Sequence, residues 1–209
     1  MKNPTTNSAT DVGFLARRRR TRNPTYKRHI FLVGFSGSGK STVGSRLARL
    51  LEVEFYDTDT LIEQRCGKPI DHIFSDDGED TFRRLESEII NELINRNEPR
   101  MVIALGAGAF EKRKNWNVVK RNGTVVYLSC SVREIYKRMK EKTDRPLLRV
   151  SPVKGETQRQ AVLRRIKDLL AQRRLTYAQA DVTISTTNKS MDETVRQLYR
   201  KIQSCDASH

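Results

Sequence analysis

The chain has 209 residues, a formal net charge of +15, 36% hydrophobic and 31% charged residues. That length suffices for one well-buried α/β domain and allows two, and no apolar run approaches the roughly 20 residues that cross a bilayer, so no membrane role is expected. Cys66, Cys130 and Cys205 form no C-x-x-C pair and argue for free thiols in a reducing, cytoplasmic setting. His29, His72 and His209 lie too far apart to suggest a zinc site or a histidine-based triad.

Residues 1–28 carry eight basic side chains against the single acid Asp11, close to half of the net charge. This leader reads as a solvated, disordered tail. A nucleic-acid-binding arm is the weaker reading, because the segment has one Phe, one Tyr and no repeat. The remaining excess of positive charge suits anionic substrates.

A buried strand is predicted at Ile30-Phe31-Leu32-Val33, and it runs directly into Gly34-Phe-Ser-Gly-Ser-Gly-Lys-Ser41. That run fits G-x-x-x-x-G-K-[ST], and a helical pattern with Val43, Leu47 and Leu50-Leu51 follows it. Glycines let successive backbone N–H groups turn inward around a phosphate, and the helix N-terminus adds positive potential. Gly37, Ser38, Gly39, Lys40, Ser41 and Thr42 are therefore candidate nucleotide-binding residues. Lys40 is suited to the β- and γ-phosphates, and the Ser41 hydroxyl to Mg²⁺.

An extended segment is expected over 53–57, then helices over 58–66, 70–75 and 78–96. Met101 to Leu105 reads as a strand ending in Gly106-Ala107-Gly108, followed by a helix over 111–121 and a strand over 124–128. A helix over 132–142, a loop over 143–157, a basic helix over 158–178, a strand over 182–184 and a helix over 191–203 complete the chain. Short apolar runs separated by helices imply a parallel sheet covered on both faces, with its ligand beyond the carboxyl ends of the strands. Asp57-Thr58-Asp59 sits at one such end. Alternation in extended chain lets both carboxylates face the phosphate site, one supporting Mg²⁺ through water and the other receiving an acceptor hydroxyl. The same residues also suit a helix N-cap and its acidic first turn.

The motifs Gly34–Thr42, Asp57-Thr58-Asp59, Asp77-Gly78-Glu79, Phe82-Arg83-Arg84-Leu85-Glu86, Gly106-Ala107-Gly108-Ala109 and Arg145-Pro146-Leu147-Leu148 occur in an order and spacing that resemble the shikimate kinase family. The resemblance covers about 30–203. It implies an α/β, three-layer P-loop kinase fold, nucleoside-monophosphate-kinase-like, with a five-stranded parallel sheet in a single domain over 29–205. It also implies transfer of the ATP γ-phosphate to the 3-hydroxyl of shikimate, toward chorismate and aromatic amino acids, with Mg²⁺ as cofactor and a monomer as the working form.

By that resemblance Asp59 orients or deprotonates the acceptor hydroxyl, Asp57 with Ser41 supports Mg²⁺, and Arg83 grips the substrate carboxylate, steadied by Glu79 or Glu86. Gly106, Ala107 and Gly108 would line the substrate, and Arg173 would supply a second carboxylate contact, although Arg174 is adjacent. Arg138 would pack on the adenine face. Arg145, in the lid near 143–157, would join Lys40 at the transferring phosphate, and Phe74, Phe82 and Pro146 would line the substrate ring. Three departures stand out: Ala107 replaces the middle glycine of the family's Gly-Gly-Gly turn, the segment from Arg145 to Arg173 is long, and the basic leader has no counterpart. Two other readings stay open: a related kinase acting on another hydroxylated acid, and a nucleotide-binding interaction protein whose basic arm engages nucleic acid.

Overall fold

Strands that are apolar at successive positions dictate a sheet buried on both sides, and the computed structural model has that arrangement. It describes residues 29–96, 100–110, 113–140 and 150–207. The basic leader 1–28, and with it the expectation about disorder, lies outside the described residues, as do Arg145 and Pro146.

Strands β1 (His29–Val33), β2 (Glu54–Asp57), β3 (Met101–Ala104), β4 (Gly123–Ser129) and β5 (Val182–Ser185) form one five-stranded sheet, ordered β2-β3-β1-β4-β5. Every pairing is parallel, with Phe31 opposite both Ile103 and Val125. Phe31, Val33, Met101, Ile103 and Val125 pack with Ile62, Leu85, Ile89, Leu93 and Trp116 on one face. Ile30, Leu32, Val102, Val126 and Leu128 pack with Val43, Leu47, Val195, Leu198 and Ile202 on the other. These helical residues belong to α2 (Thr58–Cys66), α4 (Gly78–Asn95) and α5 (Arg113–Asn122) on the first face, and to α1 (Lys40–Leu51) and α8 (Met191–Ala207) on the second.

A third cluster joins Phe35 to Ile135 and Met139 of α6 (Val132–Lys140) and to Val162, Ile166 and Leu169 of α7 (Gln158–Tyr177). It fastens the loop after β1 to two helices that would otherwise stand apart from the sheet.

Two local expectations need correction. The buried stripe of α1 runs through Val43, Gly44, Leu47 and Ala48, whereas Leu50 is 54% exposed. Gly44 sets this register: a methyl there would overlap the Phe55 ring and stand 3.0 Å from Leu32 Cδ1, so only glycine lets α1 come this close to the sheet. The expected helix over 70–75 is instead α3 (Ile70–His72) running into a π-helical turn, Ile73–Asp77. Gly78, at φ +83, then redirects the chain into α4.

Candidate active site

The loop between β1 and α1 is built by glycine conformation. Gly37 and Gly39 have φ of +81 and +100, which L side chains adopt only under strain. Gly39 caps α1 without a side-chain hydrogen bond, so the first-turn N–H groups, including those at Ser41 and Thr42, open onto the loop. Ser38 is buried inside the curl. The Lys40 ammonium donates to the carbonyls of Gly34 (2.9 Å) and Phe35 (3.2 Å), which holds its charge over the mouth of the loop.

Ser41 in the first turn of α1 meets Asp57 at the end of β2, with Ser41 Oγ donating to Asp57 Oδ2 at 2.6 Å. The other carboxylate oxygen of Asp57 accepts from the Asp59 N–H at 3.0 Å and caps α2. Capping and metal support are therefore compatible: one oxygen holds the helix and the other points to the serine. A hydroxyl beside a carboxylate is a hard-oxygen donor set, which fits a hydrated Mg²⁺.

Asp59 in the first turn of α2, Glu86 and Arg83 of α4, and the turn after β3 converge on one spot. A methyl on Gly106 would stand 2.6 Å from both Asp59 Oδ1 and Glu86 Oε1. A methyl on Gly108 would overlap the Arg83 guanidinium. At both glycines charged side chains approach so closely that an added methyl would displace them. Arg83 is held from both sides, by Glu79 at 3.1 Å and by the buried Glu86 at 3.1 Å. Its guanidinium lies 5.3 Å from the centre of the Phe82 ring, and Phe74 packs on Phe82 at 4.6 Å. This pre-set fork is suited to a carboxylate.

Ala107 occupies a place where glycine is not needed. Ala109 N–H donates to Gly106 O at 3.1 Å, closing a turn with Ala107 and Gly108 at its centre. Among the described residues the non-glycines with positive φ are Glu52 and Asn188, so Ala107 carries no left-handed strain. The turn is anchored by contacts that local sequence cannot reveal. Thr58, fully buried, accepts from the Gly106 N–H at 2.9 Å, and the Tyr177 hydroxyl donates to the Ala107 carbonyl at 3.3 Å.

On α7, Arg173 turns inward, half-buried and 5.7 Å from the Phe35 ring, while Arg174 is exposed. The helix thus presents Arg173, and not its neighbour, toward the loop. Arg138 of α6 donates to the Gly37 and Ser38 carbonyls (both 3.4 Å) and to Thr186 O at 2.8 Å, and pairs with Glu134 at 3.0 Å. It lies against the nucleotide loop, pinned to the end of β5. A concavity of about 840 Å³ opens along α6, lined by Arg133, Tyr136, Lys137, Lys140 and Arg159 among others. None of the converging residues above lines it, and its cations form a solvated face.

No helix among the described residues is long and apolar enough to cross a membrane. The model of the family described as "Shikimate kinase" matches residues 36–203. The shikimate kinase of Chlorobium chlorochromatii is 43% identical over 174 residues, 83% of this chain and 90% of that protein. Among solved structures, the Acinetobacter baumannii shikimate kinase in complex with shikimate is 35% identical with a TM-score of 0.76, covering 85% of this chain and 93% of that one. The Bacteroides thetaiotaomicron shikimate kinase is 29% identical with a TM-score of 0.73, covering 84% and 98%. With its P-loop, its parallel sheet and this span of likeness, the chain belongs to the shikimate kinase family.

Proposed function

We propose that this chain transfers the γ-phosphoryl group of ATP to the 3-hydroxyl of shikimate, giving shikimate 3-phosphate and ADP. The observation that supports it best is the meeting of Asp59, Arg83 and the Gly106–Gly108 turn beside the phosphate loop, at the end of the sheet. In this reading the Gly37–Thr42 loop and the α1 N-terminus cradle the phosphates, and Lys40 exchanges its loop carbonyls for phosphate oxygens. Arg138 borders the adenine. Ser41 and Asp57 would hold Mg²⁺, which would supply positive charge against the phosphates.

Arg83 and Arg173 fix the acceptor carboxylate, and the turn N–H groups meet its hydroxyls. Asp59 accepts the proton of the attacking hydroxyl as the new oxygen–phosphorus bond forms and the bond from the γ-phosphorus to the bridging oxygen breaks, releasing ADP. Arg145 is assigned to the transferring phosphate, which places catalysis on Asp59, Lys40 and Arg145. A monomer in the cytoplasm remains the expected form. A coupled assay with ATP, Mg²⁺ and shikimate tests the reading; shikimate-independent ATP consumption alone would overturn it.

A further inference from the structure

We propose that Tyr177 is a positioning residue for the acceptor, acting through the peptide between Ala107 and Gly108. The assignment rests on the shikimate reading above only for what occupies the site. Tyr177 is 3% exposed and its ring stacks on Tyr127 at 4.6 Å with an interplanar angle of 18°. Its hydroxyl donates to the Ala107 carbonyl at 3.3 Å. In a planar trans peptide the carbonyl and the following N–H point in opposite directions. Holding the Ala107 carbonyl toward Tyr177 therefore aims the Gly108 N–H away from it.

The other donors of this turn are already engaged. The Gly106 N–H is bound to Thr58 and the Ala109 N–H closes the turn on Gly106. The Ala107 and Gly108 N–H groups are left to a ligand that carries hydroxyl or carboxylate oxygens. The Arg83 guanidinium lies against Gly108, so a fixed N–H and a fixed fork address the same ligand. Tyr177 lies one helical turn beyond Arg173 on α7, so one rigid element supports two contacts on the acceptor. Tyr127 backs the stack from β4 and fixes where the hydroxyl stands.

Tyr177→Phe removes the hydroxyl and keeps the stacked ring. Amide hydrogen exchange at Ala109, whose N–H closes the turn on Gly106, is expected to rise about threefold or more, because the turn loses one of its anchors. The KM for shikimate is expected to rise about three- to tenfold, the worth of one oriented hydrogen bond, while the KM for ATP and the melting temperature stay near those of the parent. Unchanged exchange at Ala109, or a KM for ATP that rises in step with that for shikimate, overturns the proposal. If Tyr177→Phe does not fold, Tyr127→Leu withdraws only the backing ring and is expected to move exchange and KM the same way by less; no movement then overturns it. A parent enzyme inactive on shikimate would sink the acceptor reading by itself, and the exchange measurement would still decide the role of Tyr177.

Discussion

Ala107, the residue that stands in place of glycine in the turn after β3, is explained by backbone conformation. The methyl sits at a turn position that any L-residue adopts, while its glycine neighbours face Asp59, Glu86 and Arg83 at distances that leave no room for a side chain. Ala107→Gly is therefore expected to leave shikimate use intact and to cost about 0.5–1 kcal/mol of stability through added freedom of the unfolded chain. Gly108→Ala is expected to displace Arg83 and to lower kcat/KM for shikimate by about 100-fold or more, the cost of misplacing a substrate-orienting group. Steady-state kinetics and thermal melts of the two variants separate these outcomes. A gain of activity in Gly108→Ala would contradict the packing described.

The helices and turns carry the parts that local pattern can and cannot encode. The phosphate loop was legible because its chemistry lies in eight consecutive residues, and the Glu79–Arg83–Glu86 fork because helical neighbours recur at three and four. Three anchors of the site were not legible. Thr58 to Gly106, Tyr177 to Ala107 and Arg138 to Thr186 join residues 48, 70 and 48 positions apart, and only the sheet order brings them together. The need for glycine at position 44 is likewise not legible, since nothing near it in sequence announces the Phe55 ring. Gly44→Ala is expected to destabilise by about 1–3 kcal/mol in a denaturant titration, as overpacking does.

The π-helical turn that delivers Phe74 to Phe82 is tied down by Lys68, which contacts Asp77 at 2.7 Å and Asp76 at 3.1 Å. Hydrogen bonds from Ser75 and then Lys68 hold the Asp76 carboxyl below its ordinary range, and bonds to Asp77 and Asp76 raise the Lys68 ammonium. A carboxylate depressed on folding stabilises above its unfolded pKa, near 3.8, and loses that contribution as pH falls through the folded value. For the raised lysine the contribution is complete below about 10.5 and is lost as pH rises through the folded value. The melting-temperature gap between the parent and Lys68→Met should therefore be present at pH 7 and close toward pH 3. A gap independent of pH would assign it to packing of the lysine stem.

At the scale of the molecule, two apolar layers and one parallel sheet bring the ends of β1, β2 and β3 to a common mouth. The family match begins at residue 36, so the basic leader lies outside it. Deleting 1–28 is expected to leave kcat with shikimate within about twofold, judged by assay of the two purified chains side by side, because no leader residue is assigned a part in transfer. The central claim is that Asp59 takes the proton of a shikimate hydroxyl while the phosphate loop presents ATP. Shikimate-dependent ADP formation, compared between the parent and Asp59→Asn, tests it most directly. The account predicts turnover in the parent that falls about 10²–10⁴-fold in the variant with little change in the KM for ATP. Equal turnover in both, or none in the parent, would contradict it.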